Sequence, residues 1–138
     1  MQTIRIEGVD YHMPTPVYIL PETVEMTEDS LTAQCLFPSS DPSIGDRVDH
    51  ANIGSALFAA WNCSHIWRQK NGRGRLLAIK THQQAFGKIP PDQKIDVFAT
   101  IKLEDGSHIG SGEVIFSHEG RRLLLVSVDK LIEEEAGN

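Results

Sequence analysis

The chain has 138 residues, 40% of them hydrophobic and 23% charged, and this length and balance predict a single globular domain over residues 1–138. Its formal net charge of −6 argues against a nucleic-acid partner, because phosphate binding requires concentrated Lys and Arg. It contains no apolar run of the roughly 18 residues that a membrane span requires and no secretory signal pattern, so we expect no membrane partner and a cytoplasmic location.

The first third of the chain predicts short strands. Segments 4–6, 17–20 and 23–26 are rich in strand-forming residues and are separated by prolines, and 30–37 is a clearer strand. Residues 38–45 combine Pro, Ser, Asp and Gly, which is typical of a loop.

A long apolar helix is predicted over residues 49–67. Asp49 is a suitable N-cap, and apolar or small residues recur at helical spacing from Ile53 to Ser64. The polar side chains of the helix are confined to its N-terminal end and one narrow seam, where we look first for chemistry. They are His50, Asn52, Ser55, Asn62, Ser64 and His65.

A short basic cluster, Arg68, Lys70, Arg73 and Arg75, follows the helix. It has two interpretations. The cations compensate the helix dipole beside a glycine-containing loop, or they bind the phosphate of coenzyme A or an acidic carrier protein.

The rest of the chain predicts four strands, over 76–86, 94–103, 108–116 and 123–131, joined by turns. Alternation places Ile95, Val97, Ala99 and Ile101 on one face. We therefore predict an α+β fold in which an antiparallel sheet wraps one central helix, an arrangement that resembles the hotdog fold. The open edge of such a sheet predicts a homodimer or a higher oligomer.

Cys35 and Cys63 lack the spacing of metal ligands, so we expect buried free thiols, no zinc site and no disulfide. The other histidines also lack such spacing, and we predict no metal.

Four segments narrow the resemblance: 26–31, the His-Ala-Asn sequence at 50–52, Trp61-Asn62, and 110–114. Together they resemble the FcoT-like hotdog family. That family contains type III fatty acyl-CoA thioesterases and natural-product enzymes that add glycine to an α,β-unsaturated acyl group on an acyl carrier protein. The resemblance implies that Tyr11, Asn52 and Asn62 are active-site residues. It also implies that the substrate is carried on coenzyme A or phosphopantetheine, with no other cofactor. Ile44 stands where the family has a second tyrosine.

Residues 51–67 contain no carboxylate, so a catalyst built on this helix must use Asn and His. Backbone N–H groups near Asn52, Gly54 and Ser55 are suited to bind substrate by polarising a thioester carbonyl. His50 is the expected base, with Asn62 and Tyr11 as further catalytic residues.

The leading hypothesis is aza-Michael addition of glycine, or a similar amine, to an enoyl group on a carrier protein. Arg47, Lys80 and Arg68 are candidates to hold the carboxylate of the incoming amino acid. Hydrolysis of acyl-CoA or acyl-carrier-protein thioesters, a small dehydratase and a non-catalytic module that binds acyl groups or carrier protein are the alternatives.

Overall fold

The computed structural model describes residues 2–40, 53–104 and 106–134. In these ranges one helix and eight strands are present, numbered here in chain order. They are β1 Gln2–Ile6, β2 Val9–Met13, β3 Glu25–Met26, β4 Ser30–Cys35, α1 Ile53–Lys70, β5 Leu76–Ala85, β6 Ile95–Leu103, β7 Ile109–His118 and β8 Arg121–Glu133. The helix of the described ranges does not have the length and hydropathy needed to cross a membrane.

Six of the strands form one antiparallel sheet in the order β3-β4-β6-β7-β8-β5. One face of the sheet packs against α1, and the β1-β2 hairpin packs against the same helix, contributing Ile6, Tyr11 and Met13 to the main core. The predicted α+β arrangement of one helix against a large antiparallel sheet is confirmed.

The N-terminal region differs from its prediction. The first strand has a partner, β2, that the sequence pattern did not reveal, and Glu7 and Gly8 make the turn between them with φ of 49° and 81°. Two successive positive φ values are typical of a tight hairpin turn.

The predicted strand over 17–20 is wrong, because only Ile19 makes a bridge, to Cys35. Prolines precede it and lack the N–H that a ladder requires, and the N–H groups of Tyr18 and Ile19 are directed to Asn62 instead. The segment predicted over 23–26 is a 3₁₀ turn, Pro21–Thr23, followed by the two-residue β3.

Glu133, the last residue of β8, joins this strand to the loop that follows α1. This buried carboxylate accepts two hydrogen bonds from Arg73, at 2.9 Å from Nε and 2.8 Å from Nη2, and a third from the Gly74 N–H at 2.8 Å. The His108 Nδ1 atom lies 2.9 Å from the same carboxylate. The hydrogen bonds from Arg73 contribute most to lowering the pKa of Glu133 to about 2.

This lowered pKa predicts an acid-dependent loss of stability. The pKa of Glu in an unfolded chain is about 4.3. The stabilisation by Glu133 is therefore complete above that pH and is lost as the pH falls towards about 2. We expect Glu133→Gln to lower the free energy of unfolding at pH 7 by on the order of 2 kcal/mol, since charged hydrogen bonds are lost. Urea unfolding of both proteins between neutral and acidic pH measures the difference, which should shrink in acid.

Glu134→Gln is the matched control, because the Glu134 ion pair with Arg75 is solvent-exposed and such pairs contribute about 1 kcal/mol at most. Equal effects of the two substitutions would contradict the role assigned to Glu133.

Candidate functional site

An apolar cavity of about 260 Å³ lies between α1 and the sheet. Its lining comes from the helix and from strands β5 to β8. The lining residues are Leu57, Ala60, Trp61, Cys63 and Ser64 on the helix and Ala78, Thr81, Gln83, Ala99, Thr100, Ile101, Gly112, Glu113, Val114, Val126, Val128 and Leu131 on the sheet.

The sheet side of the cavity consists mainly of two rows of paired residues. The first rung, in order from β5 to β6, is Gln83, Val126, Val114 and Ala99; the second rung is Thr81, Val128, Gly112 and Ile101. Thr81 and Gln83 are exposed on the edge strand β5, whereas Ala99 and Ile101 retain only 1% and 7% of their exposure. The cavity therefore opens beside β5 and ends against β6.

The cavity separates two parts of the hydrophobic core. Its first rung packs with the main core through Ala99 and Val126, while Ile101 and Leu131 belong to a second cluster with Trp67 and Leu76. Side chains that face an empty apolar space lose dispersion contacts, which costs stability. A ligand with an apolar chain would restore those contacts.

Three lining residues on the helix and the edge strand, Ser64, Thr81 and Gln83, have polar side chains. Glu113 also borders the cavity, but it is exposed and alternates with Gly112 and Val114, so its side chain belongs to the outer face of the sheet. Cys63 is buried in the wall, and burial raises the pKa of its thiol to about 12, which keeps it protonated at neutral pH.

Asn62, a predicted catalytic residue, is fully buried and hydrogen-bonded to residues 15–19. Its Oδ1 accepts the Tyr18 N–H at 2.8 Å and, at 3.4 Å, the Ile19 N–H. Its Nδ2 donates to the Pro16 carbonyl at 2.9 Å and to Thr15 Oγ1 at 3.1 Å. These bonds use both ends of the carboxamide and join the N-terminal segment to the helix, and Asn62 is not among the residues that line the cavity.

The other predicted site residues are dispersed. Tyr11 borders a different cavity with Val24 and Lys70, and burial raises the pKa of its hydroxyl, helped by Glu7. Gly54 is exposed in the first described turn of α1 and Ser55 is buried there.

Lys80 is exposed on β5 at a register shift and does not line the cavity. His50, Asn52 and Arg47 lie outside the described residues. The predicted roles of all these residues stay predictions.

The basic cluster is largely engaged within the chain. Arg73 binds Glu133, Arg75 pairs with Glu134 at 3.1 Å, and Arg68 Nε donates to His65 Nδ1 at 3.2 Å. Burial, together with the charges of Arg68 and Arg75, lowers the pKa of His65 to about 4, so this imidazole is neutral at pH 7. These contacts favour the structural interpretation of the cluster.

Thr81 and Gln83 were not predicted from the sequence, since the polar residues that stand out in it lie on the helix. A signal was present, since two polar side chains two residues apart in a predicted strand share one face. The register shift between Ala78 and Thr81 interrupts the alternation of the strand. Thr81 and Gln83 therefore line the cavity together with Ala78, which simple alternation does not predict.

No protein-family model and no curated protein matches this chain. Solved structures do share its fold. The PaaI protein from the phenylacetic acid degradation operon of E. coli is 10% identical with a TM-score of 0.66, over 80% of this chain and 81% of that one. A mutant hypothetical thioesterase protein from Streptococcus pneumoniae TIGR4 is 12% identical with a TM-score of 0.66, over 88% and 95%.

A third structure, smu.793 from Streptococcus mutans UA159 bound to acetyl CoA, is 6% identical with a TM-score of 0.66, over 84% of this chain and 90% of that one. Identities this low establish only that the fold is shared. The chain has the hotdog fold, as its sequence predicted.

The hydrogen bonds of Asn62 predict a structural effect on substitution. Asn62→Leu leaves the Tyr18 N–H and the Pro16 carbonyl without their partner in a buried site, so we expect unfolding to become easier by about 2–4 kcal/mol. Chemical denaturation measures this change. Asn71→Leu is the control, because Asn71 is exposed just after the helix and its side chain makes one hydrogen bond, to the Trp67 carbonyl, so this substitution should cost only about 1 kcal/mol. A catalytic role would instead appear as lost turnover in an Asn62→Leu protein of unchanged stability.

Proposed function

We propose that this protein binds an acyl thioester with its acyl chain in the cavity and acts on the thioester group at the opening beside β5. The observation that carries this proposal is the apolar gap between two parts of the core, which opens at an exposed polar rim. An acyl chain supplies the missing apolar contacts, and burying each methylene contributes about 0.8 kcal/mol.

The thioester carbonyl is polar, so it belongs at the rim rather than inside. Thr81 and Gln83 are exposed there, on the same face of β5, and Ser64 borders the cavity from the helix. The Gln83 amide is a suitable donor to the carbonyl oxygen. A donor aimed at the developing negative charge lowers the barrier for attack on a thioester.

Hydrolysis of an acyl-CoA or acyl-carrier-protein thioester is the reaction we place first. Two proteins of the same fold support it: the one from Streptococcus pneumoniae is described as a hypothetical thioesterase, and the one from Streptococcus mutans is bound to acetyl CoA. Both observations concern those proteins, and they make a thioester of coenzyme A the first substrate to test.

Aza-Michael addition of glycine to an enoyl group on a carrier protein is the second candidate. The described helix contains no carboxylate to activate water, which favours a reaction that uses a different nucleophile. His50 remains the predicted base for it, and Arg47 or Lys80 the predicted partner of the glycine carboxylate. The resemblance to FcoT-like enzymes is the origin of this candidate.

We further propose that two copies of the chain pair along β5. This strand ends the six-stranded sheet, so one side of its backbone is unpaired within the described sheet, and Ile79 is 55% exposed on it. Pairing of identical edges hides such groups. It would also bring the partner subunit next to Thr81 and Gln83 at the rim of the site.

Intact-mass spectrometry of acyl groups on coenzyme A and on a carrier protein tests the reaction. We expect saturated octanoyl thioesters to lose the acyl group on incubation with the protein. If an octenoyl thioester gains the mass of glycine, and does so only when glycine is present, the reaction is conjugate addition and not hydrolysis. Unchanged masses with every substrate would contradict both reactions and favour a binding module.

The proposed role of Gln83 makes a second prediction. Gln83→Leu removes the donor from the rim, so we expect kcat/KM to fall about 10²-fold, the usual loss for one oxyanion donor. Gln84→Leu is the matched control, because Gln84 is the next residue of β5 and points to the opposite face. Equal kcat/KM values for the two variants would contradict the proposed role of Gln83 as a hydrogen-bond donor to the thioester.

A further inference from the structure

The inner end of the cavity contains a glycine where the neighbouring strands place larger residues. Gly112 pairs with Ile101 on one side and Val128 on the other, and it is the only member of the second rung without a side chain. Glycine inside a strand costs stability because it orders a flexible backbone and packs nothing. Its presence at this position therefore needs a reason.

A positive φ is not the reason, although Gly112 adjoins a register shift between β7 and β8. The described glycines with positive φ are Gly8, Gly72, Gly106 and Gly120, so Gly112 has a backbone that any residue adopts. Gly110 differs, because a Cβ atom there would lie 2.0 Å from the Lys102 carbonyl oxygen. At Gly112 the closest atom would be the Thr100 backbone carbonyl oxygen at 3.0 Å, a tight contact that admits a side chain only if the paired strand β6 moves by a few tenths of an ångström.

A side chain at position 112 would instead occupy the cavity. Its Cβ would lie 3.3 Å from Leu131 Cδ1 and 3.9 Å from Ile101 Cγ1, and both of these residues line the inner end. Gly112 thus lies at the inner end of the cavity, beside the buried wall formed by Ile101.

We infer that Gly112 and Ile101 together set the length of the acyl chain that the protein accepts, and that its substrates are unbranched acyl groups of short to medium length. This inference rests on the proposed function. The cavity volume of about 260 Å³ is below the roughly 300–1,000 Å³ of sites for drug-sized ligands, which argues against a long fatty chain. Val114 and Val128 flank Gly112 along the wall and oppose branching.

The proposed selection of chain length depends on what the terminal methyl group of the acyl chain contacts. Each methylene that enters the cavity improves binding about fourfold, until the chain reaches Ile101 and further methylenes must bend or stay in water. Gly112→Ala adds one methyl group at the inner end of the cavity. Binding should therefore stop improving at an acyl chain about one methylene shorter than in the wild-type protein. Ile101→Val removes one methyl from the wall, so binding should stop improving about one methylene later.

The experiment measures kcat/KM for saturated acyl-CoA thioesters from butanoyl to hexadecanoyl, and Kd by calorimetry for those that the protein binds without converting. We expect shorter chains to behave alike in all proteins, with the optimum shifted in opposite directions by Gly112→Ala and Ile101→Val. Ser111→Thr is the control, since it adds one methyl group at the adjacent residue. Ser111 is exposed and borders a groove on the outer face of the sheet, away from the helix. This variant should keep the wild-type optimum.

The outcomes separate the two proposals. Wild-type protein that neither binds nor converts any chain length contradicts the proposed function itself. Wild-type protein with a clear optimum that both variants share with the control contradicts only the length-setting role. Opposite shifts exclude general destabilisation, which would change both variants in the same direction. If Gly112→Ala does not fold, as judged by circular dichroism, the direction of the Ile101→Val shift decides the result.

Discussion

The hydrogen bonds of the Asn62 carboxamide are the constraint on which the arrangement of helix and N-terminal segment depends. The prolines before Tyr18 keep this segment out of a regular ladder, so its buried backbone groups need other partners. Asn62 provides them from the centre of α1, and Gln69, two turns later, exchanges two hydrogen bonds with the backbone of His12. These side-chain amides thus supplement the backbone pairing of this region, in which Leu20 donates to Gln34 and His12 pairs with Thr3.

The same attachments explain how an apolar gap persists inside a packed domain. A gap between helix and sheet would close if the helix were free to settle onto the sheet, because closure restores dispersion contacts. Here the helix is fixed by Asn62 to the N-terminal segment, and the loop that follows it is fixed by Arg73 and Gly74 to Glu133 at the end of β8. A cavity held open in this way is preorganised for a ligand, which reduces the cost of binding.

Sequence periodicity predicted the helix and the long strands, most directly β6, in which buried residues alternate with more exposed ones. It failed where a distant partner decides the outcome. The strand expected over 17–20 is reduced to one bridge, because the N–H groups of Tyr18 and Ile19 bind Asn62, more than forty residues away. The polar face of β5 was missed because a register shift changes which residues point inward between Ala78 and Thr81. Asn62 was identified as important, but only its buried partners distinguish a structural amide from a catalytic one.

The fold determines the cavity, whereas in the proposed function the groups at its rim would determine the reaction. Neighbours that share this fold at 6–12% identity have little sequence in common, so they carry no information about the side chains at Thr81 and Gln83. Hydrolysis requires water beside the thioester carbonyl, and conjugate addition requires that an amine reach the β-carbon before water reaches the carbonyl. Because the rim lies on the edge strand, whatever covers β5 controls the access of water. Pairing of two copies along this strand would therefore determine both the shape of the site and the nucleophile that succeeds in it.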